Sequence, residues 1–570
     1  MSNEPAGFQG WVKREFLTPR RAIFNFLWYG TQCFVFAYGW WSQETNVRLA
    51  ALNALTYSVW TSRGAGLVLA LDGFMILVPM LRNIIKLVRP KLSWLFPADE
   101  NIWFHRQVAY SMAFWAMVHT TAHYVNFINV ERTQVRQEAA WQIHYTQAGG
   151  ISGHVMLLIM VLMYTTAHHK IRAQCFEVFW YTHHLAFFFM IGLYAHATGC
   201  FVRDSVDPDY TNYFPFYSTD HCLGYESWRY TIWPGILYFG ERMYREYRGR
   251  RATQLDKVLI HPSGAMELRI IKKSFRYTAG QWLFIQVPEV SKFQWHPFTI
   301  TSAPEDPYIS VHIRQVGDWT QALGERLGAG PNVVAQMTKA ALKASDKDEK
   351  SALEYGMPTR GDFVEIDDSM NNRGLPVVRI DGPFGAPAED VFESEVAVLV
   401  GAGIGVTPFA SILKHIWYRQ RRGNLGALRR VEFIWVCRDA SIFGWFQSLL
   451  QEIEAAQTDP NFLRINIYIT QKVSQDILYN IAVNDAGSAY DPLTLLRSRT
   501  MFGRPDWQSV FGRLRMAIEG GQYLPGREST LKTRVGTYYC GPSPLAKILK
   551  EASLAQNSET IKFTFAKEHF

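Results

Sequence analysis

The sequence predicts a multi-domain chain: a six-helix transmembrane bundle, then an antiparallel β-barrel, then an α/β layer. Three observations carry this. Long stretches almost free of charge recur before residue 250, each suited to crossing a hydrocarbon core about 30 Å thick. After Arg251 the texture changes to short alternating runs, MELRII, WLFIQV and YISVHIR, set between Pro, Gly and Asp turns. From about 395, VAVLV, the turn GAGIGVTP and the periodic FASILKHIWY read as buried strand, glycine turn and helix. Domains are therefore expected at 1–250, 251–390 and 391–570, a division that suits 570 residues.

The apolar stretches lie near 22–41, 63–81, 104–126, 149–167, 178–197 and 228–244. The second carries Arg63 at its start and Asp72 inside it, and charges within a membrane are costly and usually functional. Six spans return both termini to one side. Lys13, Arg14, Arg20 and Arg21 precede the first span, Arg82, Lys86, Arg89 and Lys91 follow the second, Lys170 and Arg172 follow the fourth, and five arginines from Arg242 to Arg251 close the sixth. All of these fall on the same face, so the termini are assigned to the cytosol. The loop 198–227 carries Asp204, Asp207, Asp209, Asp220 and Glu226 and faces outward, where Cys200 and Cys222 are candidates for a disulfide.

Composition narrows the function. The net charge of +8 is dispersed and accompanied by no nucleic-acid motif, which points to a membrane surface rather than nucleic acid. Six cysteines in so long a chain exclude a disulfide scaffold. The N-terminus MSNEPAGFQGWVKREFLTPRR has no short apolar core with a small-residue cleavage site, so no removable signal peptide is expected. The charged tract at about 338–375 reads as a surface insertion in the second domain.

Histidines in the greasy third and fifth spans carry the chemistry. His183 and His196 stand 13 positions apart, and His105 and His119 stand 14 apart. At 1.5 Å of rise per residue each pair spans roughly 20 Å with both rings on nearly one helix face. Side by side, the two helices would hold two metal centres, His105 with His183 near the cytosol and His119 with His196 near the exterior. Neutral imidazole is a common axial ligand of haem iron, and two per iron leave no open position, which suits electron transfer. Hydrogen bonding within the bundle is the alternative for each ring, and is the reading adopted for His154, His168, His169 and His184.

FHRQVAYSMAFWAMVHTTAH and FEVFWYTHHLAFFFMIGLYAH together resemble the membrane half of the NADPH oxidase family, the superoxide-generating flavocytochromes typified by the phagocyte enzyme. The resemblance runs from PMLRN to the terminal KEHF; the charged insertion departs from the animal phagocyte form and resembles fungal members. It implies that His105, His119, His183 and His196 bind two b-type haems, and that Arg63 and His123 stand beside the outer haem where dioxygen is reduced. A cationic donor there would stabilise developing superoxide; interfacial snorkelling of Arg63 and a structural hydrogen bond for His123 are the alternatives.

HPFTITSAPED, from His296, resembles the flavin-binding signature of the ferredoxin-reductase superfamily. By that resemblance His296, Pro297, Phe298 and Thr299 line FAD, Phe298 by packing and Thr299 by a hydrogen bond to the flavin. Arg314 faces its pyrophosphate, and Trp319 and Thr320 open a helix whose amides favour anions. VLVGAGIGVTP departs from the dinucleotide fingerprint at Val406; Gly401, Gly403, Gly405, Thr407 and Pro408 better match pyridine-nucleotide domains of the ferredoxin-reductase type. Cys540, Gly541 and Pro542 resemble the family's motif beside the nicotinamide. Arg504, in FGRPDW, and Arg438, placed after a strand, are candidates for the adenosine 2′-phosphate, which favours NADPH. Phe570 resembles the terminal aromatic that covers the flavin.

The implied activity carries electrons from cytosolic NADPH through FAD and two haems to dioxygen on the other side, forming superoxide. A transmembrane ferric-chelate reductase and a redox-inactive channel or scaffold are the alternatives. The resemblance also implies a small membrane companion subunit, cytosolic activator proteins and a Rac-type GTPase, in the plasma membrane or an endomembrane.

Overall fold

The computed structural model describes residues 12, 16, 19–92, 100–133, 139–146, 148–196, 202–203, 222–223, 228–251, 253–261, 265–330, 364–366, 374–438, 446–457, 459, 461–471, 490–491, 493–494, 496–521, 524 and 532–568. The chain divides into Met1–Tyr244 and Arg245–Phe570.

In the first unit the expected apolar segments fall largely in helix: α1 Pro19–Glu44, α2 Tyr57–Met75, α3 Asn101–Arg132, α4 Ala148–Thr166, α5 Phe176–His183 with α6 Ala186–Ala195, and α7 Trp228–Gly249, which runs on past Tyr244. The second segment outlasts α2 and ends in a 3₁₀ turn at Val78–Met80. Among the described residues three stretches are long and apolar enough to cross a membrane, Tyr57–Met80, Gly149–Thr166 and Phe176–Ala195. The other three helices are long but more polar than that, so length and composition do not by themselves establish six spans. The fifth segment is also not one straight helix. His184 N–H bonds Tyr181 O and Leu185 N–H bonds Thr182 O, a tighter i→i−3 turn between α5 and α6.

Small residues bring α1 and α2 together. A Cβ on Gly39 would lie 3.1 Å from Gly64 Cα, and one on Gly64 would lie 3.0 Å from the Phe36 ring, so the two glycines set the approach. Farther along, Phe24 and Trp28 meet Phe104 of α3 edge to face, with centroids 4.9 and 5.6 Å apart. Between these layers sits a buried polar network. Gln32 Nε2 donates to Asp72 Oδ1 at 2.9 Å, Ser111 Oγ to the same oxygen at 2.9 Å, and Trp115 Nε1 to Gln32 Oε1 at 3.0 Å. Phe34, Leu158 and Phe187 stay exposed, as side chains facing hydrocarbon would.

Two short strands, β1 Val202–Arg203 and β2 Cys222–Leu223, pair antiparallel in the first unit. In the second unit β3 Gln254–Ile260, β4 Ala265–Ile271, β7 Ile309–Arg314 and β8 Val364–Ile366 form one antiparallel sheet, ordered β7-β4-β3-β8. A second sheet, β6-β5-β9, joins β5 Trp282–Gln286 to β6 His296–Thr299 and β9 Arg379–Phe384. Both contribute to one core that includes Val258, Leu268, Ile285, Val311 and Ile380, each of which stabilises the fold by about 1.5–3 kcal/mol when fully buried. The ladders are two sheets over a shared core, and among the described residues they do not join into the single barrel expected from the alternation. β8 lies inside the tract read as an insertion: Glu365 is exposed and Ile366 is buried. The rest of that tract up to 373 lies outside the described residues.

Six parallel strands complete the unit: β10 Val396–Ala402, β11 Arg430–Cys437, β12 Leu463–Ile469, β13 Thr500–Phe502, β14 Thr533–Cys540 and β15 Ile561–Lys567, ordered β13-β12-β11-β10-β14-β15. Leu399 and Phe433 pack on one face against Phe409, Ile412 and Leu413 of the helix Thr407–Arg421. Val398 and Val400 pack on the other face against Phe511 of Trp507–Glu519 and Leu549 of Ser543–Leu554. Helices on both faces explain why the strands read as continuous apolar runs.

Candidate functional site

Four ligand candidates in the first unit face one another in two pairs. The His105 and His183 ring centroids lie 6.2 Å apart and those of His119 and His196 6.4 Å apart. A metal–imidazole bond of about 2.0–2.1 Å on each side, with each ring nitrogen about 1.1 Å from its centroid, puts two rings on opposite sides of one ion about 6.2–6.4 Å apart. Both pairs have that spacing.

The hydrogen bonds choose the ligand nitrogen. His105 Nδ1 bonds Ile76 O at 2.9 Å and His119 Nδ1 bonds Ser62 O at 2.8 Å. A carbonyl oxygen only accepts, so Nδ1 carries the proton in both rings and Nε2 keeps the lone pair that a metal needs. His196 Nδ1 meets Ser152 Oγ at 2.8 Å. His183 Nδ1 is buried without a hydrogen-bond partner. Gly66 and Gly153 complete the outer pair: a Cβ on either would lie 3.3 Å from His119 Cε1 or 3.2 Å from His196 Cε1. Neither glycine follows from ligand spacing, and only the packing of α2 and α4 against the rings shows them. These residues fit two bis-imidazole haem sites. By contrast His184 Nδ1 bonds Trp180 O at 2.6 Å, and His154 bonds Gly150 O at 2.6 Å and Tyr124 Oη at 2.7 Å, which are structural roles.

His123 packs its ring 4.5 Å from that of His119, one helical turn away. Arg63 follows Ser62, the acceptor of the His119 bond. The expected dioxygen-facing residues therefore sit with the outer pair.

In the second unit β6 and the helix Asp318–Arg326 bring the flavin signature together. Trp319 is buried and stacks on His296 at 4.2 Å and 25°, with Phe298 at 6.0 Å. Trp319 Nε1 is buried without a partner, Thr299 is buried and Pro297 exposed. Thr320 differs from expectation in one respect: its hydroxyl accepts from Gly317 N at 3.0 Å and Val316 N at 3.1 Å and donates to Gly317 O at 2.8 Å, so it caps the helix. Arg314 ends β7 in an exposed position.

The glycine turn lies at the topological switch of the parallel sheet. β10 is flanked by β11 and β14, and Gly401 pairs with Cys540 across the β10–β14 ladder. Gly403 has φ of +59°, which favours glycine. A Cβ on Gly405 would run into Cys540 O and lie 3.1 Å from Gly541 N, so only glycine lets the turn close on the β14 end. Thr407 and Pro408 start the next helix, with proline at its preferred first positions. Arg438 follows β11 and Arg504 follows β13, both exposed. All strands are parallel, so these residues and Cys540–Pro542 share the carboxyl edge, where open α/β sheets bind ligands. Burial pushes the Cys540 thiol up, keeping it protonated and neutral. Phe570 and Cys200 lie outside the described residues, and Cys222 pairs its backbone with Arg203.

Each part of the chain matches a known family. Residues 65–194 match a family described as ferric reductase like transmembrane component, 251–388 an FAD-binding domain, and 394–554 a ferric reductase NAD binding domain. NADPH oxidase 1 of Mus musculus is 31% identical, with 100% of each chain covered. A superoxide-generating NADPH oxidase heavy chain of Dictyostelium discoideum is 35% identical, with 91% of each covered. A solved ferredoxin NADP+ reductase from Neisseria gonorrhoeae is 15% identical at a TM-score of 0.29, with 55% of this chain and 98% of that one covered.

Proposed function

The chain belongs to the NADPH oxidase family, whose members include superoxide-generating enzymes, and on that premise we propose how its own residues serve a transmembrane, NADPH-dependent, superoxide-generating oxidase. His105 with His183, and His119 with His196, would hold two b-type haems; His296, Pro297, Phe298, Thr299, Arg314, Trp319 and Thr320 would hold FAD. The turn Gly401–Pro408, Arg438, Arg504 and Cys540–Pro542 would hold NADPH, and Phe570 would cover the flavin. When bound, the flavin takes a hydride and releases electrons singly, and the haems carry one electron each. The observation that carries this reading is the ring spacing of 6.2 and 6.4 Å in the two histidine pairs.

The protein's work is then placement and electrostatics. Ile76 and Ser62 carbonyls fix the tautomer and tilt of His105 and His119. Gly405 lets the glycine turn close on the Cys540 strand end, and Cys540 would offer a neutral thiol to a nicotinamide bound there. Arg63 would supply positive charge and His123 a hydrogen-bond donor beside the His119–His196 pair, where reduction of dioxygen is proposed. Six spans with cytosolic termini, a small membrane companion, cytosolic activators and a Rac-type GTPase belong to the same proposal, and co-purification from the native membrane tests the partners.

An NADPH-driven absorption spectrum, taken without oxygen and then with it alongside superoxide detection, tests the reading. Wild type should show reduced haem that reoxidises with superoxide release. His119→Ala should lose the outer haem and the superoxide, and His123→Ala should keep both haems but produce superoxide more slowly. Iron-chelate reduction without any superoxide would overturn the reading in favour of a ferric reductase.

A further inference from the structure

We propose that His261, Glu267 and His312, on the flavin-binding unit, form a site for one divalent transition-metal cation of the zinc class. None of the three belongs to the sites above. Backbone register brings them together. Glu267 of β4 is the direct cross-strand partner of His312 of β7, and His261 follows β3, whose Leu259 is the partner of Glu267 on the other side. Met266, Leu268, Val311 and Ile313 point into the apolar core, so alternation sends Glu267 and His312 to the opposite face. Their side chains are nevertheless 8–9% exposed, as is that of His261.

The distances suit an ion better than a direct bond. Nε2 of His261 and Nε2 of His312 each lie 3.8 Å from the same atom, Glu267 Oε2, and one donor atom from each residue lies within 4.8 Å of the others. A hydrogen bond would close that gap to about 2.7–3.2 Å. Donors bound to one zinc ion at about 2.0–2.2 Å stand about 3.4 Å from each other, so side-chain adjustment would draw the three donors, all within 4.8 Å of one another, onto one ion.

Neighbouring side chains aim the donors. Arg269 Nε donates to Glu267 Oε1 at 2.8 Å and Nη2 reaches Oε2 at 3.5 Å, which fixes the carboxylate with Oε2 on the histidine side. Thr301 Oγ1 meets His312 Nδ1 at 2.8 Å and Ser310 Oγ at 2.8 Å. When Thr301 donates to Ser310 it accepts from Nδ1–H, which leaves Nε2 as the basic atom, the usual outer arrangement of a metal-binding histidine. Two imidazoles and one carboxylate are the donor set of zinc sites that keep a fourth position for water. Here the ion would tie β3, β4 and β7 together.

The test uses full-length protein in detergent, stripped with a chelator, dialysed against zinc chloride and analysed for zinc by mass spectrometry. Wild type should retain one zinc per chain more than either Glu267→Gln or His261→Gln, with zinc affinity at least tenfold weaker in each variant and FAD content unchanged. Equal zinc in wild type and FAD-replete variants would overturn the proposal. If the variants lose FAD, zinc-edge X-ray absorption on wild type decides: a shell of two imidazoles and light atoms supports the site, and sulfur or oxygen-only ligation contradicts it.

Discussion

The rings of His119 and His196 face each other across two helices at 6.4 Å between centroids, and each Nδ1 is tied to a serine, one through the Ser62 carbonyl and one through the Ser152 hydroxyl. The second tie can be removed without touching a ligand. Ser152→Ala should keep both haems at full loading but weaken the outer one about 10-fold, because loss of such an orienting bond typically costs 10–100-fold in metal affinity. Haem retention during dilution of the purified protein measures this. Gly153→Val should do more damage, since a Cβ there already lies 3.2 Å from His196 Cε1.

Gly405→Ala places a methyl against the Cys540 carbonyl, backbone that cannot step aside. NADPH-driven haem reduction should fall at least about 10-fold, a loss of roughly 1.4 kcal/mol or more in the productive arrangement. Chemical reduction by dithionite, and reoxidation by dioxygen, should match wild type. Stopped-flow absorption separates the two.

The proposed contacts of Arg438 and Arg504 with the nucleotide's 2′-phosphate can be tested one at a time. Arg504→Ala should raise the KM for NADPH by about 10–100-fold while leaving that for NADH within about twofold, since a charge-assisted bond to phosphate contributes about 1.5–3 kcal/mol. Steady-state kinetics with both nucleotides check it, and Arg438→Ala shows whether the second cation shares the phosphate.

Asp381 holds two guanidinium groups, with Arg245 Nε at 2.7 Å and Arg248 Nη2 at 2.5 Å, and is 1% exposed. Asp381→Asn would leave both cations without a countercharge in a buried place, which costs about 3–5 kcal/mol. Flavin release on heating the full-length protein should occur several degrees lower.

Beside that cluster burial lowers Lys272 from 10.5 to about 8, and the Arg248 and Arg251 charges oppose the help from Asp381. Between pH 8 and 10.5 the unfolded chain therefore holds more protons at this group than the folded one does, so its contribution to stability rises with pH across that window. Lys272→Met, which cannot titrate, should exceed wild type in stability below pH 8 and lose that lead toward pH 10.5. Thermal release of flavin against pH, compared between the two proteins, measures it.

The parts of this architecture that were legible in the sequence are those with a local period. The 13- and 14-residue separations put His183 with His196 and His105 with His119 on helix faces, and the structure pairs those rings. Strand, glycine turn and helix from Val396 to Tyr418 are legible for the same reason. What was not legible depends on contacts distant in sequence or on a local competition. The tightened turn at His184–Leu185 falls in a stretch without glycine or proline from Trp180 to Ile191, so no helix breaker marks it. Gly66 and Gly153 matter through rings on other helices, and Asp381 through arginines 133 and 136 positions away. β8 is hidden because its three residues sit in a charged tract, and its pairing with β3 is what reveals it.

The most direct test is a haem count on full-length, FAD-replete protein by the pyridine haemochrome assay. Two b-type haems per chain in wild type, falling to one in His105→Ala and to one in His119→Ala, is the predicted result. One haem or none in wild type, or loss of both from either single substitution with the fold intact, would contradict the assignment of two separate histidine pairs.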